Sequence, residues 1–308
     1  MGSKINLPAF TWFEGFLLSC KSRRLSENTI NDYSVTLKKF FIFIGDQDPA
    51  TVTKNTVQGF LASQTVSNKT LSNYFTGLNV FYTWALGEGL VTENPLARLR
   101  RPKHEIRVIQ SIPLDHIRKM LASADRSSIY SRPGKRACSN ELPAGDRNRL
   151  IVLFLLDTGV RVSELIGLKW ADLDLGSLNA KVYGKGNKER LVCISSRTGR
   201  ALWRYKAAVN GLDQDPVFGN ASGQALTRNA INLVLRRMCT RAGVPIYSPH
   251  DFRHTFAIQF LRNHPNIFAL QALLGHSSLD MVKRYLAISQ VDLSEAHLHG
   301  SPVENWGL

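Results

Sequence analysis

Through the first hundred residues apolar side chains recur three and four positions apart, the spacing of one face of an α-helix. A first helix is predicted from about Ala9 to Lys21, carrying Phe10, Phe13 and Phe16. A second starts at the N-cap candidate Ser26, carries Ile30, Tyr33, Leu37, Phe40 and Phe41, and stops at Gly45. A shorter third follows Thr53 with Val57, Phe60 and Leu61. The fourth follows Ser67 with Leu71, Tyr74, Leu78, Phe81 and Ala85, and ends at Gly87 and Gly89. One apolar stripe per helix predicts a small four-helix bundle.

Asn94-Pro95 breaks this pattern, and a basic run follows: Arg98, Arg100, Arg101, Pro102, Lys103. Proline and like charge oppose a continuing helix. The boundary is therefore placed here, with a helical domain over residues 1–102 and a linker over 103–111. The residues leave open whether that linker is merely solvated or lies along phosphates.

The second half opens with a predicted helix from Pro113 to Ala124. Ser127 to Gly145 is rich in Ser, Pro, Gly and Arg and reads as a loop. A strongly apolar helix runs from Asp146 to Asp157 and closes at Gly159. Ala180–Tyr183 and Leu191–Ile194 are short β-type runs around Gly184-Lys185-Gly186-Asn187-Lys188, the pattern of a hairpin. Helical spacing then returns at 197–209, 227–242, 250–262, 267–274 and 278–287. No internal repeat or low-complexity tract interrupts it.

Charge changes this picture more than composition does. Hydrophobic residues make up 44% and charged residues 20% of the 308, which excludes wholesale disorder. The formal net charge is +15 and both halves share it: residues 1–103 hold 12 basic and 7 acidic side chains, the remainder 27 and 17. A positive surface along the whole chain suits a long polyanion better than one small acidic ligand, although a merely basic soluble enzyme would also show it. No stretch approaches the roughly 20 apolar residues that cross a bilayer, and Met1 to Ala9 lacks the layout of a secretory signal. Cys20, Cys138, Cys193 and Cys239 stand far apart, with no zinc-ligand spacing. A reduced, cytoplasmic protein without cofactor or structural metal is expected.

Six side chains carry candidate chemistry. His250 and Arg253, three apart on a predicted helix, share one face. His276 follows Gly275 at a helix end, and Tyr285 lies on the next helix. Arg161 follows the apolar helix, and Lys185 occupies the hairpin turn. Two arginines, two histidines, a lysine and a tyrosine make a cationic pocket with one oxygen nucleophile. Arginine forks match the nonbridging oxygens of a phosphate and the negative charge of its transition state. No carboxylate cluster offers the sites of a magnesium-dependent nuclease. Each piece alone has an ordinary reading: a surface pair for His250 and Arg253, a capping turn for Gly275-His276, a core aromatic for Tyr285.

Order and context change those readings. The chain resembles the tyrosine recombinase (phage integrase) family, particularly its Xer-like members. The resemblance lies in Thr158-Gly159-Val160-Arg161-Val162-Ser163-Glu164-Leu165, in Gly184-Lys185-Gly186-Asn187-Lys188-Glu189-Arg190, in Ser248-Pro249-His250-Asp251-Phe252-Arg253-His254-Thr255-Phe256-Ala257 and in Leu273-Leu274-Gly275-His276-Ser277-Ser278, with Tyr285 at the family's distance. It implies a mainly α fold. The N-terminal four helices would form a SAM-like core-binding domain, joined to a mixed α+β catalytic domain (112–288) that holds a small antiparallel sheet. It implies that Arg161 and Arg253 grip the scissile phosphate and that Lys185 protonates the departing 5′ oxygen. His250 would position the phosphate and handle the nucleophile's proton, His276 would donate to the phosphate, and Tyr285 would attack. Tyr183, Tyr205 and Tyr247 are read as packing residues. Lys188 and Arg190 are read as touching DNA backbone, and His254, Glu164 and Asp172 as structural.

The same resemblance implies a clamp around double-stranded DNA, a tetramer on specific recombination sites, and a C-terminal tail (289–308) that docks on a neighbouring subunit. Neither membrane nor cofactor enters, and no accessory DNA-bending protein can be named. Integration or excision of a mobile element is the expected role. Xer-type resolution of chromosome or plasmid dimers, a type IB topoisomerase-like activity and a DNA-binding regulator with a decayed site are the alternatives. The Ser127–Gly145 segment departs from the family by its length, and Asn263-His264-Pro265-Asn266 by lacking a glycine.

Overall fold

The computed structural model describes residues 7–103, 109–125, 143–184, 189–275 and 301–306, with single positions 279, 282, 285 and 297. The chain divides into two compact units, Met1–Arg107 and Val108–Leu308.

In the first unit four helices form: α1 (Leu7–Ser22), α2 (Glu27–Ile44), α3 (Lys54–Ser63) and α4 (Asn68–Gly87). Their starts are set locally. The hydroxyls of Ser26, Thr53 and Ser67 each accept from the backbone N–H three residues on, satisfying a donor that the first turn leaves without a helical partner. The stripes then converge on an aromatic core. Phe16 meets Phe81 edge-on at 5.4 Å, Phe40 meets Phe60 at 5.2 Å, and Phe41 meets Phe81 at 5.6 Å. Edge-to-face rings set the positive rim of one against the negative face of the next. Phe10, expected on the buried stripe, is instead 51% exposed, because α1 turns Phe13 and Phe16 inward. In the basic run after the bundle, Arg101 Nε donates to the Ser72 hydroxyl at 2.7 Å.

The second unit packs helices around α6 (Gly145–Thr158), whose Leu150, Ile151, Val152, Phe154 and Leu155 are all buried. Helix α5 (Leu114–Ala122) precedes it and α7 (Val162–Gly167) follows. Next come the strands β1 (Leu173–Asp174), β2 (Asn179–Tyr183) and β3 (Glu189–Cys193), then α8 (Ser196–Val209), α9 (Arg228–Ala242), α10 (Pro249–Asn263) and α11 (Ile267–Leu274). A last helix, α12, spans Pro302–Trp306. Helix α6 packs against α8 and α10, and α5 against α9. Being covered on several sides, the Leu150–Leu156 stretch of α6 is apolar all round instead of striped.

The strands form one antiparallel sheet in the order β1-β2-β3, with Ala180 opposite Val192 and Val182 opposite Arg190. Alternation turns Ala180 and Val182 into the core and leaves Tyr183 exposed, which corrects its reading as a packing residue. Tyr205 and Tyr247 do pack against the core. Three elements escaped the hydrophobic pattern, α7, β1 and α12. Each is too short to display a period. The extended segment before α5 is anchored in this unit: Ile109 packs against the apolar cluster that includes Tyr285, and the Ile112 N–H donates to the Thr255 hydroxyl at 2.8 Å. Most of the Ser127–Gly145 loop, the predicted 278–287 helix and the tail lie outside the described residues. Among the described residues, no helix is long and apolar enough to cross a membrane.

Phe40, fully buried among Phe41, Phe60 and Tyr82, is the sharpest test of the first core. Phe40→Ala is expected to cost about 3–5 kcal/mol of stability, read by urea denaturation.

Candidate active site

Helix α6 ends on Gly159, whose left-handed φ of 60° closes its last turn. A Cβ there would sit 2.4 Å from the Phe256 ring of α10, so only glycine lets the two elements meet. This contact brings Arg161, just beyond the turn, to the side of Arg253 on α10.

Arg253 is 4% exposed, and its guanidinium donates to the Gly159 carbonyl at 2.6 Å and to the Leu274 carbonyl at 2.8 Å. Burial, followed by the charge of Arg161, pulls its pKa down to about 10, which leaves it protonated at neutral pH. Arg161 donates through one terminal nitrogen to the Gly275 carbonyl at 3.1 Å and through the other to Glu164 at 2.9 Å. A third arginine completes the group. Arg190 of β3 donates to the Leu273 carbonyl and, at 2.7 Å, to Glu164. Three successive carbonyls at the end of α11, those of Leu273, Leu274 and Gly275, thus accept from three different arginines. A helix C-terminus carries partial negative charge and favours cations.

Arg190 was expected on DNA backbone. It is instead largely buried, because its register opposite Val182 turns it toward α11 and Glu164. Gly275 must also be glycine: its φ is +61°, and a Cβ would meet Arg190 Cδ at 2.7 Å. Glu164, read as structural, does hold structure, its Oε2 accepting from the Arg161 backbone N–H at 2.7 Å. The same fully buried carboxylate joins Arg161 to Arg190. Its place three residues after Arg161, in the first turn of α7, was the available signal. Asp172 has the role expected, accepting from the Lys169 N–H at 2.9 Å.

The nucleophile candidate lies within electrostatic reach of Arg253. Tyr285 is 3% exposed and lies in a cluster with Ala257, Ile258, Leu261, Leu270, Leu274 and Val282. Its hydroxyl and Nδ1 of His254 are 2.8 Å apart. Tyr285 is also close enough to Arg253 to act on that guanidinium electrostatically. The His250 and His254 rings, one helical turn apart, stack with centroids 6.4 Å apart. His250 is pushed below the ordinary histidine range by burial, then by Arg253 and Arg228. His254 is pushed the same way by burial, an effect that Asp251 opposes. Arg161, Arg253, His254 and Tyr285 therefore converge beside His250, whereas Lys185 and His276 lie outside the described residues. Among the described residues, no three His, Cys, Asp or Glu side chains gather as a metal site would require.

The phage integrase family model matches residues 135–291, and the model of the phage integrase N-terminal SAM-like domain matches residues 12–91. The chain belongs to the phage integrase family of tyrosine recombinases. It is 30% identical over 256 residues to tyrosine recombinase XerD of Listeria monocytogenes serotype 4b (strain F2365), covering 78% of this chain and 81% of the relative. It is 27% identical over 248 residues to tyrosine recombinase XerC of Xylella fastidiosa (strain M23), covering 78% and 79%.

Among solved structures, a lambda integrase dimer bound to a COC′ core site superposes with a TM-score of 0.72 at 18% identity, covering 92% of this chain and 78% of that one. XerH site-specific recombinase in a post-cleavage complex with palindromic difH substrate gives 0.69 at 22% identity, covering 90% and 81%. This tyrosine recombinase is accordingly a DNA strand transferase, with a mainly helical fold and a small antiparallel sheet.

Two outcomes follow from the electrostatics of the recombinase. Glu164→Ala leaves Arg161 and Arg190 crowded without their shared carboxylate, and is expected to destabilise the second unit by on the order of 3 kcal/mol in chemical denaturation. His250 and His254 have folded pKa values below the 6.5 of the free side chain. The unfolded chain therefore binds more protons, and the stability these groups contribute is complete above about pH 6.5 and lost as pH falls below it. The melting temperature should drop between pH 7.5 and 5.5, with a shallower slope in His254→Asn.

Proposed function

We propose that this recombinase cleaves and rejoins DNA at specific sites through a 3′-phosphotyrosine at Tyr285, exchanging strands between two duplexes. The observation that carries the reading is the group of arginines held on the end of α11, with Arg253 within electrostatic reach of Tyr285. Glu164 offsets part of that charge, and the remainder faces the phosphate.

The phenol oxygen attacks the scissile phosphorus as the bond to the 5′ oxygen breaks. Arg161 and Arg253 bind the nonbridging oxygens and stabilise the charge that builds there. Their guanidiniums are already tied at fixed positions, so little reorganisation accompanies the reaction. His250 positions the phosphate, His276 donates to it, and Lys185 protonates the leaving 5′ oxygen, a step contributing on the order of a hundredfold or more. The phosphotyrosine conserves the energy of the phosphodiester. Rejoining therefore requires no ATP, and the cations serve where other enzymes use a metal ion.

The reading includes binding of double-stranded DNA in the cytoplasm by a core-binding domain over 1–102 and a catalytic domain over 112–288. It also includes a tetramer on paired sites, to which the tail (289–308) contributes a subunit contact. Integration or excision of a mobile element is the role it favours. A second role, resolution of chromosome or plasmid dimers, is favoured by the relatives named XerD and XerC. Direct repeats flanking mobile cargo around the gene would select the first.

The test uses nicked duplexes cut from the DNA flanking the gene, with denaturing gels that reveal covalent protein–DNA adducts. Wild type should accumulate adduct and Tyr285→Phe none. Adduct persisting in Tyr285→Phe would remove Tyr285 from the reaction.

A further inference from the structure

We propose that His254 is a catalytic residue, the group that takes the proton of Tyr285 during cleavage and returns it during rejoining. The inference rests on the reading of Tyr285 as nucleophile and adds to it a base distinct from His250.

Three observations converge. The 2.8 Å separation of His254 Nδ1 and the Tyr285 hydroxyl is a short, well-made hydrogen bond to the atom that must lose its proton. The pair is withdrawn from bulk water, Tyr285 being buried and His254 half-buried, so water competes poorly as the acceptor. And His254 follows Arg253 directly on α10, so the base and the phosphate-gripping cation move as one rigid element. Facing His254 among the described residues are Asp251, His250 and Arg253 on its own helix, and Tyr285 across from it.

Burial and the neighbouring cations favour the neutral ring, the form able to accept. The acceptor role requires the tautomer with hydrogen on Nε2. In that state the phenol donates its hydrogen to Nδ1 and keeps its oxygen lone pairs for attack. A free phenol has pKa about 10 against about 6.5 for a free histidine, so proton transfer between the two side chains runs uphill before reaction. Only when phosphorus begins to bond to the oxygen does its proton become acidic enough to move.

The step balances. The Tyr285 oxygen–phosphorus bond forms, the phosphorus–5′ oxygen bond breaks, and the phenol proton goes to His254 Nδ1, which becomes imidazolium. The 5′ oxygen takes a proton from the general acid, Lys185 in the reading above. Rejoining reverses each transfer, and His254 reprotonates the departing phenolate.

The test measures the single-turnover rate of adduct formation on the nicked duplex by wild type, His254→Ala and His254→Asn, with DNA affinity and melting temperature confirming folding. Asn keeps a polar group near the Nδ1 position but is not basic. Both variants are expected to lose about a hundredfold or more in rate while binding DNA as wild type does. Added imidazole should accelerate His254→Ala, and across substituted imidazoles the gain should rise with their basicity. A His254→Asn rate close to wild type would overturn the proposal, since hydrogen bonding alone would then suffice. Absence of imidazole rescue in a folded, DNA-binding His254→Ala would also overturn it. Wild-type adduct that disappears in Tyr285→Phe shows the nucleophile assignment sound, so a failure of His254 is told apart from a failure of that assignment.

Discussion

The catalytic unit turns on the end of one short helix. Helix α11 stops at Gly275, and its last carbonyls have no helical donors left to receive. Arginines supply those donors from three separate parts of the chain: the turn after α6, strand β3 and helix α10. The arrangement answers two needs together. The carbonyls obtain partners, and like charges that would repel one another are held side by side.

Such crowding is costly unless something offsets it. Glu164 does so from a fully buried position, with one oxygen for Arg161 and the other for Arg190 and the Arg161 backbone. A buried carboxylate is expensive to desolvate and becomes acceptable only when its acceptor sites are filled. The two glycines, Gly159 and Gly275, serve the same geometry by letting an aromatic ring and an arginine stem lie against bare backbone. Substitution at either would strain the backbone and displace the charge group together.

The first unit depends on a different force. Its helices are held by interlocking aromatic rings, Phe16, Phe40, Phe41, Phe60 and Phe81 among them, and its starts by hydroxyl caps. These are local and apolar determinants, so this part of the fold was legible along the chain. Ser26, Thr53 and Ser67 mark their helices in sequence because a cap acts within three residues. Helix α11 and the hairpin strands were legible for a similar reason, having clear periods and turn residues at their ends.

Sequence alone determined the family, the helical bundle, the hairpin and the identity of Arg161, His250, Arg253 and Tyr285 as chemical candidates. Those depend on short-range spacing and on residue types in a fixed order. Only tertiary structure decided what each charge touches. It took Arg190 from an expected outward role to a buried ion pair, made Glu164 the link between two arginines, and set His254 against the Tyr285 hydroxyl. Partners separated by 26, 31 and 114 positions meet through the packing of α10, α11 and β3, which no local pattern encodes. Pairing of buried charges is a property of the assembled core, where removal from water forces each group to find a counterpart.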